Sequence, residues 1–247
     1  MSKFKVIYED DYLLIVDKPS GFTVNKAETT VNEETLQDFV EDYLSFASKN
    51  AQTDKLSDFY KRAGIVHRID KETSGIIVVA KTMESFVSLQ QQFKQRIVEK
   101  IYVALVHGLI EHEGEISVPV GRLPWNRKRF GVLAGGKDSL TKYKVLDILY
   151  FVQDKVKEAL TLLELYPKTG RTHQIRVHLK YINHPIFADP LYAGRKVSRN
   201  DRKYLQRVFL HAKKISFNHP KSGDRVEFVS ELPQELSNFL DGLERRV

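Results

Sequence analysis

Cysteine is absent from this 247-residue sequence. Its absence excludes disulfides, thiolate nucleophiles and cysteine-ligated zinc or iron–sulfur sites. No apolar run approaches the roughly 18 residues needed to span a bilayer, and no signal-peptide apolar region follows Met1, Ser2, Lys3 and Phe4. These absences predict a cytoplasmic protein that does not associate with membranes.

Positive charge exceeds negative charge, with a formal net charge of +7 at pH 7. Hydrophobic residues make up 42% of the chain and aromatic residues 11%, as in a globular protein with a core. Such a charge balance fits a nucleic-acid partner. Basic residues concentrate in two stretches, which indicate either a phosphate-binding surface or a solvated face. The first contains Arg195, Lys196, Arg199, Arg202, Lys203, Arg207, Lys213 and Lys214 with one acid, Asp201, and the second contains Arg122, Arg127, Lys128 and Arg129 around Trp125.

One stretch, residues 66–81, combines a predicted strand with a candidate catalytic side chain. Residues 76–80 form a short apolar run rich in β-branched side chains, which predicts a strand buried on both faces. Asp70 precedes this run and is flanked by Arg68 and Lys71. A carboxylate on a loop next to a rigid strand is a common place for chemistry. The alternative is an ordinary turn, because Asp, Ser and Thr side chains bond their own backbone.

Hydrophobic periodicity predicts strands with helices interspersed irregularly, which favours an α+β fold. Leu36, Phe39, Val40, Tyr43 and Leu44 predict a first helix. A later helix is predicted over residues 173–182, with Thr172 as its N-cap. The other predicted elements are a hairpin over 5–17, a helix with the apolar stripe Phe86, Leu89, Phe93 and Ile97, strands over 99–107, 141–149 and 158–166, and a hairpin and loop region over 116–138.

Several motifs in this order resemble those of the RluA family of RNA pseudouridine synthases. His67, Arg68, Ile69 and Asp70 resemble the family's His-Arg-Leu-Asp signature, with Ile69 in place of leucine. The other matching stretches are Thr73-Ser74-Gly75, residues 17–21, Lys100-x-Tyr102-x-Ala104, residues 169–178, residues 184–192, Leu210-His211-Ala212, His219-Pro220 and Leu232-Pro233. The resemblance covers nearly the whole chain, from about Phe4 to Phe239.

The resemblance implies the pseudouridine synthase fold, a mostly antiparallel mixed β-sheet with a central catalytic cleft and flanking helices. It implies a single catalytic domain over residues 1–247, without the N-terminal S4-like domain of some relatives. The implied reaction isomerises uridines in ribosomal RNA, transfer RNA or both, and it uses no cofactor and no metal. We expect RNA as the partner and a monomer as the active form.

The resemblance also implies roles for individual side chains. Asp70 is the catalytic carboxylate, Arg176 pairs with it, and Tyr102 stacks on the uracil and helps to move a proton from C5. Arg68 fills the space that the flipped nucleotide leaves. Further substrate-binding residues are expected at His67, Arg171, His173, Ile175 and Leu232. Without the resemblance, Tyr102 reads as a core strand tyrosine, and Arg68 equally as a salt-bridge partner of Glu72.

The residues also allow three alternatives to a pseudouridine synthase. A metal hydrolase could use His67, Asp70, His173 and His178, but no HExxH or similar spacing occurs. A glycosidase or nucleosidase needs a second carboxylate, and none stands out. A non-catalytic RNA-binding module or chaperone on the same fold is the third alternative, which the presence of Asp70, Tyr102 and Arg176 disfavours.

Overall fold

The computed structural model describes residues 4–30, 32–45, 57–127, 129–153 and 156–245. These residues form two compact units. The first unit comprises Met1–Val98 and Lys214–Glu231, and the second comprises Glu99–Lys213 and Leu232–Val247. The prediction of one catalytic domain over residues 1–247 stays a prediction beside this division.

The secondary structure alternates strands and helices irregularly along the chain. The strands are β1 Lys5–Glu9, β2 Leu13–Lys18, β3 Ser74–Ala80, β4 Glu99–His107, β5 Gly114–Ser117, β6 Val120–Arg122, β7 Phe130–Val132, β8 Leu140–Gln153, β9 Val156–Pro167, β10 Leu210–Asn218, β11 Arg225–Val229 and β12 Glu244–Arg245. The helices are α1 Leu36–Tyr43, α2 Asp58–Lys61, α3 Met83–Lys94, α4 Gln174–Tyr181, α5 Arg195–Asp201 and α6 Gln234–Asp241, with a short 3-10 helix at Glu28–Thr30.

Unit 1 is built around β3, whose seven residues are all buried. β1 and β2 form the predicted antiparallel hairpin, and β2 pairs antiparallel with β3 from Leu13↔Ala80 to Lys18↔Gly75. A strand covered on both faces needs the unbroken β-branched run that the sequence supplies. The predictions of the hairpin and of the buried strand are therefore confirmed.

Helices α1 and α3 in unit 1 begin at side-chain caps. The Thr35 side chain accepts a hydrogen bond from the Asp38 backbone N–H, and the Asp38 carboxylate accepts one from the Thr35 N–H, which makes a capping box. At the start of α3, the Thr82 side chain accepts a hydrogen bond from the Ser85 N–H. Both predicted helices are confirmed, although α3 ends at Lys94, before Ile97.

Unit 2 contains an antiparallel array in the order β4, β9, β8 and β12, with β5 also on β8. β8 and β9 are longer than the sequence predicted. β6 and β7 form a separate two-stranded hairpin inside the turn-rich stretch 116–138, as expected. Helix α4 packs on the core through Ile175 and Leu179, which confirms its predicted apolar face.

The prediction of Thr172 as the N-cap of α4 is wrong. The N-cap is His173, whose backbone lies in the left-handed region at φ 56°, and its side chain makes no capping hydrogen bond. The Gln174 side chain explains the shift. Its Oε1 accepts hydrogen bonds from Thr169 Oγ1 and the Arg171 N–H, and its Nε2 donates to the Leu140 carbonyl. This network fixes the turn before the helix and takes the place of a Thr cap.

The fold class is the predicted α+β arrangement with mostly antiparallel strand pairs. Across the described ranges, no helix combines the length and apolar content required to cross a membrane.

Candidate active site

The loop that carries Asp70 is fastened to β3 through His67. The Val78 N–H donates a hydrogen bond to His67 Nε2 at 3.0 Å, and the imidazole packs against Phe93 with ring centroids 5.0 Å apart. Because Nε2 accepts this hydrogen bond, it carries no proton, and the ring proton lies on Nδ1. His67 thus acts within unit 1 as a tether, while its predicted part in substrate binding stays a prediction.

The same loop is held from its other side by Lys18, a residue that the sequence did not single out. The Lys18 side chain is fully buried, and Nζ donates hydrogen bonds to the carbonyl oxygens of Pro19 at 2.8 Å, Phe22 at 2.9 Å and Lys71 at 3.1 Å. The Gly21 N–H also donates to the Lys71 carbonyl at 2.8 Å. The backbone directly after Asp70 is therefore fixed by a buried cation.

Asp70 is half-buried on this loop, and the neighbouring Arg68 is exposed. The Thr73 N–H donates to the Asp70 carbonyl at 3.1 Å, so the turn expected from the residues 70–75 is present. This bond fixes the backbone of Asp70, while the catalytic role of its carboxylate stays a prediction. A loop held this rigidly can preorganise a reacting group.

Three predicted pocket residues share one hydrophobic core in unit 2. Ile175 belongs to the hydrophobic core of this unit, and Tyr102 and Leu232 are partly buried side chains that pack against the same core. Ile175 comes from α4, Tyr102 from β4 and Leu232 from the segment before α6. The structure therefore groups, around one core, an aromatic ring and two aliphatic side chains that are far apart in sequence.

Lys100 lies two residues before Tyr102 in β4, so both side chains project from the same face of the strand. Burial of the ammonium and the nearby charge of Lys168 lower the pKa of Lys100 to about 8. The sequence match includes Lys100, but nothing in the pattern indicates a partly buried cation there. Desolvation is an effect of the folded structure that composition does not reveal.

Arg176 is buried in unit 2 and forms a two-pronged ion pair with the buried Asp189. Arg176 Nε donates to Asp189 Oδ2 at 2.7 Å, and Nη2 donates to Oδ1 at 2.8 Å. The guanidinium also lies 5.0 Å from the centroid of the Tyr192 ring. Asp189 Oδ1 additionally accepts from the backbone N–H groups of Leu191 and Tyr192. The side chain of Arg176 is thus rigidly oriented.

The sequence places Asp189 in a stretch that matches the family but does not mark it as a site residue. A buried carboxylate is costly unless it is paired and hydrogen-bonded. Asp189 meets this condition with four hydrogen bonds from Arg176, Leu191 and Tyr192. The only sequence signal was an acid directly after the apolar residues Phe187 and Ala188.

His173 and Arg171 lie at the start of α4. The Tyr192 hydroxyl lies 2.8 Å from His173 Nδ1 and accepts a hydrogen bond from the Phe130 N–H at 3.1 Å. Arg171 Nε donates to the Asp138 carbonyl at 3.2 Å. Both side chains are partly exposed at this end of the helix, and their predicted contacts with substrate stay predictions.

His178, named in the metal-hydrolase alternative, is completely buried. The Ser139 hydroxyl donates to the Val118 carbonyl at 2.6 Å and lies 2.8 Å from His178 Nε2. Burial lowers the pKa of His178 to about 4, so the ring is neutral at pH 7. Among the residues that the structure describes, no group of three or more His, Asp or Glu side chains is arranged to hold a metal ion.

The nine candidate residues fall in both units. His67, Arg68 and Asp70 belong to unit 1. The other six, Tyr102, Arg171, His173, Ile175, Arg176 and Leu232, belong to unit 2. Asp70 therefore lies on a fixed loop of unit 1, while Arg176 and Tyr102 belong to unit 2. Similarity to known proteins identifies the class of protein that carries this set of side chains.

Residues 12–181 match the family model described as RNA pseudouridylate synthase. The chain belongs to this family. It is 38% identical over 242 residues to the ribosomal large subunit pseudouridine synthase D of Nitrosomonas europaea, covering 97% of this chain and 65% of the relative. It is 36% identical over 241 residues to an uncharacterized RNA pseudouridine synthase, YlyB, of Bacillus subtilis, covering 97% and 73%.

The first relatives are longer than this chain, which spans 60% of the synthase D of Neisseria meningitidis serogroup B at 38% identity over 96% of its own length. Among solved structures, human RNA pseudouridylate synthase domain containing 1 is similar, with a TM-score of 0.72, 26% identity and coverage of 99% of this chain and 89% of the other. Human RNA pseudouridylate synthase domain containing 4, with a TM-score of 0.68 and 21% identity over 97% and 93%, shares the fold.

Proposed function

We propose that this chain isomerises uridines in structured RNA to pseudouridine, with Asp70 as the catalytic carboxylate. The observation that carries the proposal is the fixed loop around Asp70. His67 holds this loop to β3, and the buried Lys18 binds the Lys71 carbonyl directly after Asp70. Membership of the RNA pseudouridylate synthase family supports the same reaction.

The reaction breaks the glycosidic bond between uracil N1 and ribose C1′, turns the uracil and forms a bond between C5 and C1′. The C5 proton is then lost and N1 gains a proton, so the reaction is redox-neutral and needs no cosubstrate. The ionised Asp70 either attacks C1′ or removes a ribose proton to give a glycal-like intermediate. Either route places a negative carboxylate beside the ribose.

Arg176 is proposed to pair with Asp70 and to favour its ionised form. At least two of the five N–H groups of the guanidinium are donated to Asp189. Asp189 thereby fixes the plane of the guanidinium. We infer that a further N–H group of Arg176 donates to Asp70. This arrangement uses arginine for its rigid, two-pronged geometry, which a lysine cannot reproduce.

Tyr102 is proposed to hold the detached uracil by stacking and to help transfer the C5 proton. Its packing against the apolar core that contains Ile175 supports this role, because an apolar surface excludes water from a base that has left its sugar. Arg68, exposed on the Asp70 loop, is proposed to occupy the vacated position in the RNA stack. His67, Arg171 and His173 are proposed as further RNA contacts.

Ribosomal RNA of the large subunit is the proposed substrate, because several relatives are named ribosomal large subunit pseudouridine synthases. Transfer RNA is retained as a second substrate class. Pseudouridine mapping of both RNAs, from a strain lacking the gene and from the same strain with the gene restored, tests this proposal. We expect specific sites to vanish and return; unchanged maps in both RNAs would contradict the substrate assignment.

A non-catalytic RNA-binding module on the same fold is the alternative function. RNA labelled with tritium at uridine C5 separates the two, because formation of the C5–C1′ bond displaces the C5 hydrogen. The synthase releases tritium into water, whereas a binding module retains all of it in the RNA.

A further inference from the structure

The two basic clusters in the sequence meet at one surface of unit 2. Arg129, from the segment before β7, lines a depression of about 550 Å³ together with cations of α5 and of the residues that follow it. These cations are Arg195, Arg199, Arg202 and Lys203. Lys128 of the first cluster lies outside the described residues. The structure therefore joins two stretches that are more than 60 positions apart in the sequence.

Four of these cations have no partner within the part of the chain that the structure describes. The side chains of Arg129, Arg195, Arg199 and Lys203 make no hydrogen bond or ion pair there. Like charges in one concave surface repel each other, and a bound polyanion would relieve this repulsion. A solvated face of mixed sign would carry carboxylates among its cations instead.

The two acids in residues 186–214 point away from the depression because they are engaged in the interior. Asp189 is paired with Arg176, and Asp201 Oδ2 lies 2.9 Å from His107 Nε2 and accepts from the Ala188 N–H at 3.0 Å. Both carboxylates are almost completely buried. The segment thus keeps its negative charge inside and presents positive charge outside.

The interior contacts that hold α5 in place use Asp201 and Arg202 and none of the side chains of Arg129, Arg195, Arg199 and Lys203. Asp201, the last residue of α5, is fixed by His107, and Arg202 Nε donates to the Ala188 carbonyl at 3.0 Å. Because these contacts fix the backbone of α5 to the interior of unit 2, the outward side chains project from a rigid helix. A preorganised surface loses less entropy on binding than a flexible one.

We propose that this depression, the Arg129–α5 pocket, binds backbone phosphates of the RNA substrate. This inference rests on the proposed function for the identity of the anion. Cations without neighbouring base-reading groups bind phosphate oxygens and position the RNA without reading its sequence. The pocket therefore contributes affinity and orientation, and specificity for the target uridine arises elsewhere.

The test compares Arg199→Ala combined with Lys203→Ala against a matched control, Lys61→Ala combined with Lys94→Ala. Both double variants remove two exposed lysine or arginine charges, and neither Lys61 nor Lys94 lines the pocket. The affinity for a structured large-subunit rRNA fragment is measured over about 50–200 mM salt. Thermal unfolding confirms that each variant is folded, and Arg195→Ala combined with Lys203→Ala repeats the test at a second pair.

We expect the slope of log K against log salt to fall by roughly 0.7 to 0.9 for each lost contact in the pocket variants, and to stay near the wild-type value in the control. The single-turnover rate at saturating RNA should be unchanged. An unaltered slope in both pocket variants, or an equal fall in the control, would contradict phosphate binding by the Arg129–α5 pocket. Tritium release by wild type is scored separately: its absence would overturn the proposed function, while the slopes would still decide the pocket.

Discussion

Lys18 Nζ donates a hydrogen bond across 3.1 Å to the carbonyl oxygen of Lys71, a residue 53 positions later in the chain. The contact joins the end of β2 to the backbone directly after Asp70. It places a fully buried positive charge beneath the proposed catalytic loop, where its three carbonyl acceptors balance the cost of burial. The geometry of the loop therefore depends on a residue that takes no part in the proposed chemistry.

Replacing Lys18 with methionine tests this dependence. Lys18→Met keeps the length of the side chain but removes the donor to the carbonyls of Pro19 and Phe22 and leaves the Lys71 carbonyl with the Gly21 N–H. We expect the free energy of unfolding to fall by about 1–3 kcal/mol or more, the cost of an unpaired buried acceptor. Lys71→Met is the control, since the Lys71–Glu33 pair is exposed and such pairs contribute at most about 1 kcal/mol. Equal denaturant midpoints for the two variants would contradict the anchoring role.

Arg176→Lys tests the fork geometry of the guanidinium. A lysine cannot reproduce both the bidentate contact with Asp189 and the proposed contact with Asp70, so the single-turnover rate of pseudouridine formation should fall by about 100-fold. Arg62→Lys serves as the control because, within the described ranges, the Arg62 side chain pairs only with the exposed Asp58, at 3.7 Å. A near-normal rate in Arg176→Lys, measured by rapid quench, would remove Arg176 from the proposed mechanism.

His107 links protein stability to pH. Hydrogen bonds to Asp201 and Glu158 outweigh the effect of burial and raise the pKa of His107 to about 9, from an ordinary value near 6.5. The folded state therefore binds the proton more tightly than the unfolded state. The resulting stabilisation, on the order of 3 kcal/mol, is complete below pH 6.5 and is lost as the pH rises through 9.

His107→Gln should abolish this loss of stability between pH 6.5 and 9, as followed by chemical unfolding at a series of pH values. The exposed His112 provides the control, and His112→Gln should retain the wild-type pH dependence. A wild-type profile that stays flat over this interval would show that the proton on His107 does not contribute.

Substitutions of Tyr102 separate its two proposed roles. Tyr102→Phe keeps the ring, whose stacking on a base is worth about 1–3 kcal/mol, and removes the hydroxyl; Tyr102→Leu removes both. We expect the Phe variant to stall late, with uracil bonded through C5 but still carrying its C5 proton, and the Leu variant to be impaired earlier. Nucleoside analysis after a single turnover identifies the stage.

The exposed Tyr181 offers a matched pair of controls, and both Tyr181→Phe and Tyr181→Leu should react normally. Wild-type multiple-turnover rates in both Tyr102 variants would identify Tyr102 as an ordinary strand residue.

The sequence predicted strands β1–β4, β8 and β9 and helices α1, α3 and α4 because their signals are local. The β-branched run of β3 and the capped amphipathic helix α1 each carry their own pattern. Thr172 failed as a cap because the Gln174 side chain, bonded to β8, decides where α4 begins. A contact between distant segments overrode a local preference.

The candidate site divides in the same way. Asp70, Tyr102 and Arg176 were named because they stand in recognisable motifs. Lys18 and Asp189 were missed because a buried charge is indistinguishable, in sequence, from an exposed one. Their partners, the Lys71 carbonyl and the Arg176 guanidinium, come together only through the folded chain. Charge burial is therefore the part of this site that pattern reasoning does not reach.

Tritium release by Asp70→Asn tests the central claim most directly. The substitution preserves size and hydrogen-bonding capacity but removes the negative charge that the reaction needs beside the ribose. With RNA labelled at uridine C5, wild type and the exposed control Asp11→Asn should release tritium, and Asp70→Asn should release none while binding the RNA within a few-fold of wild type. Substantial release by Asp70→Asn would contradict the assignment of Asp70 as the catalytic carboxylate.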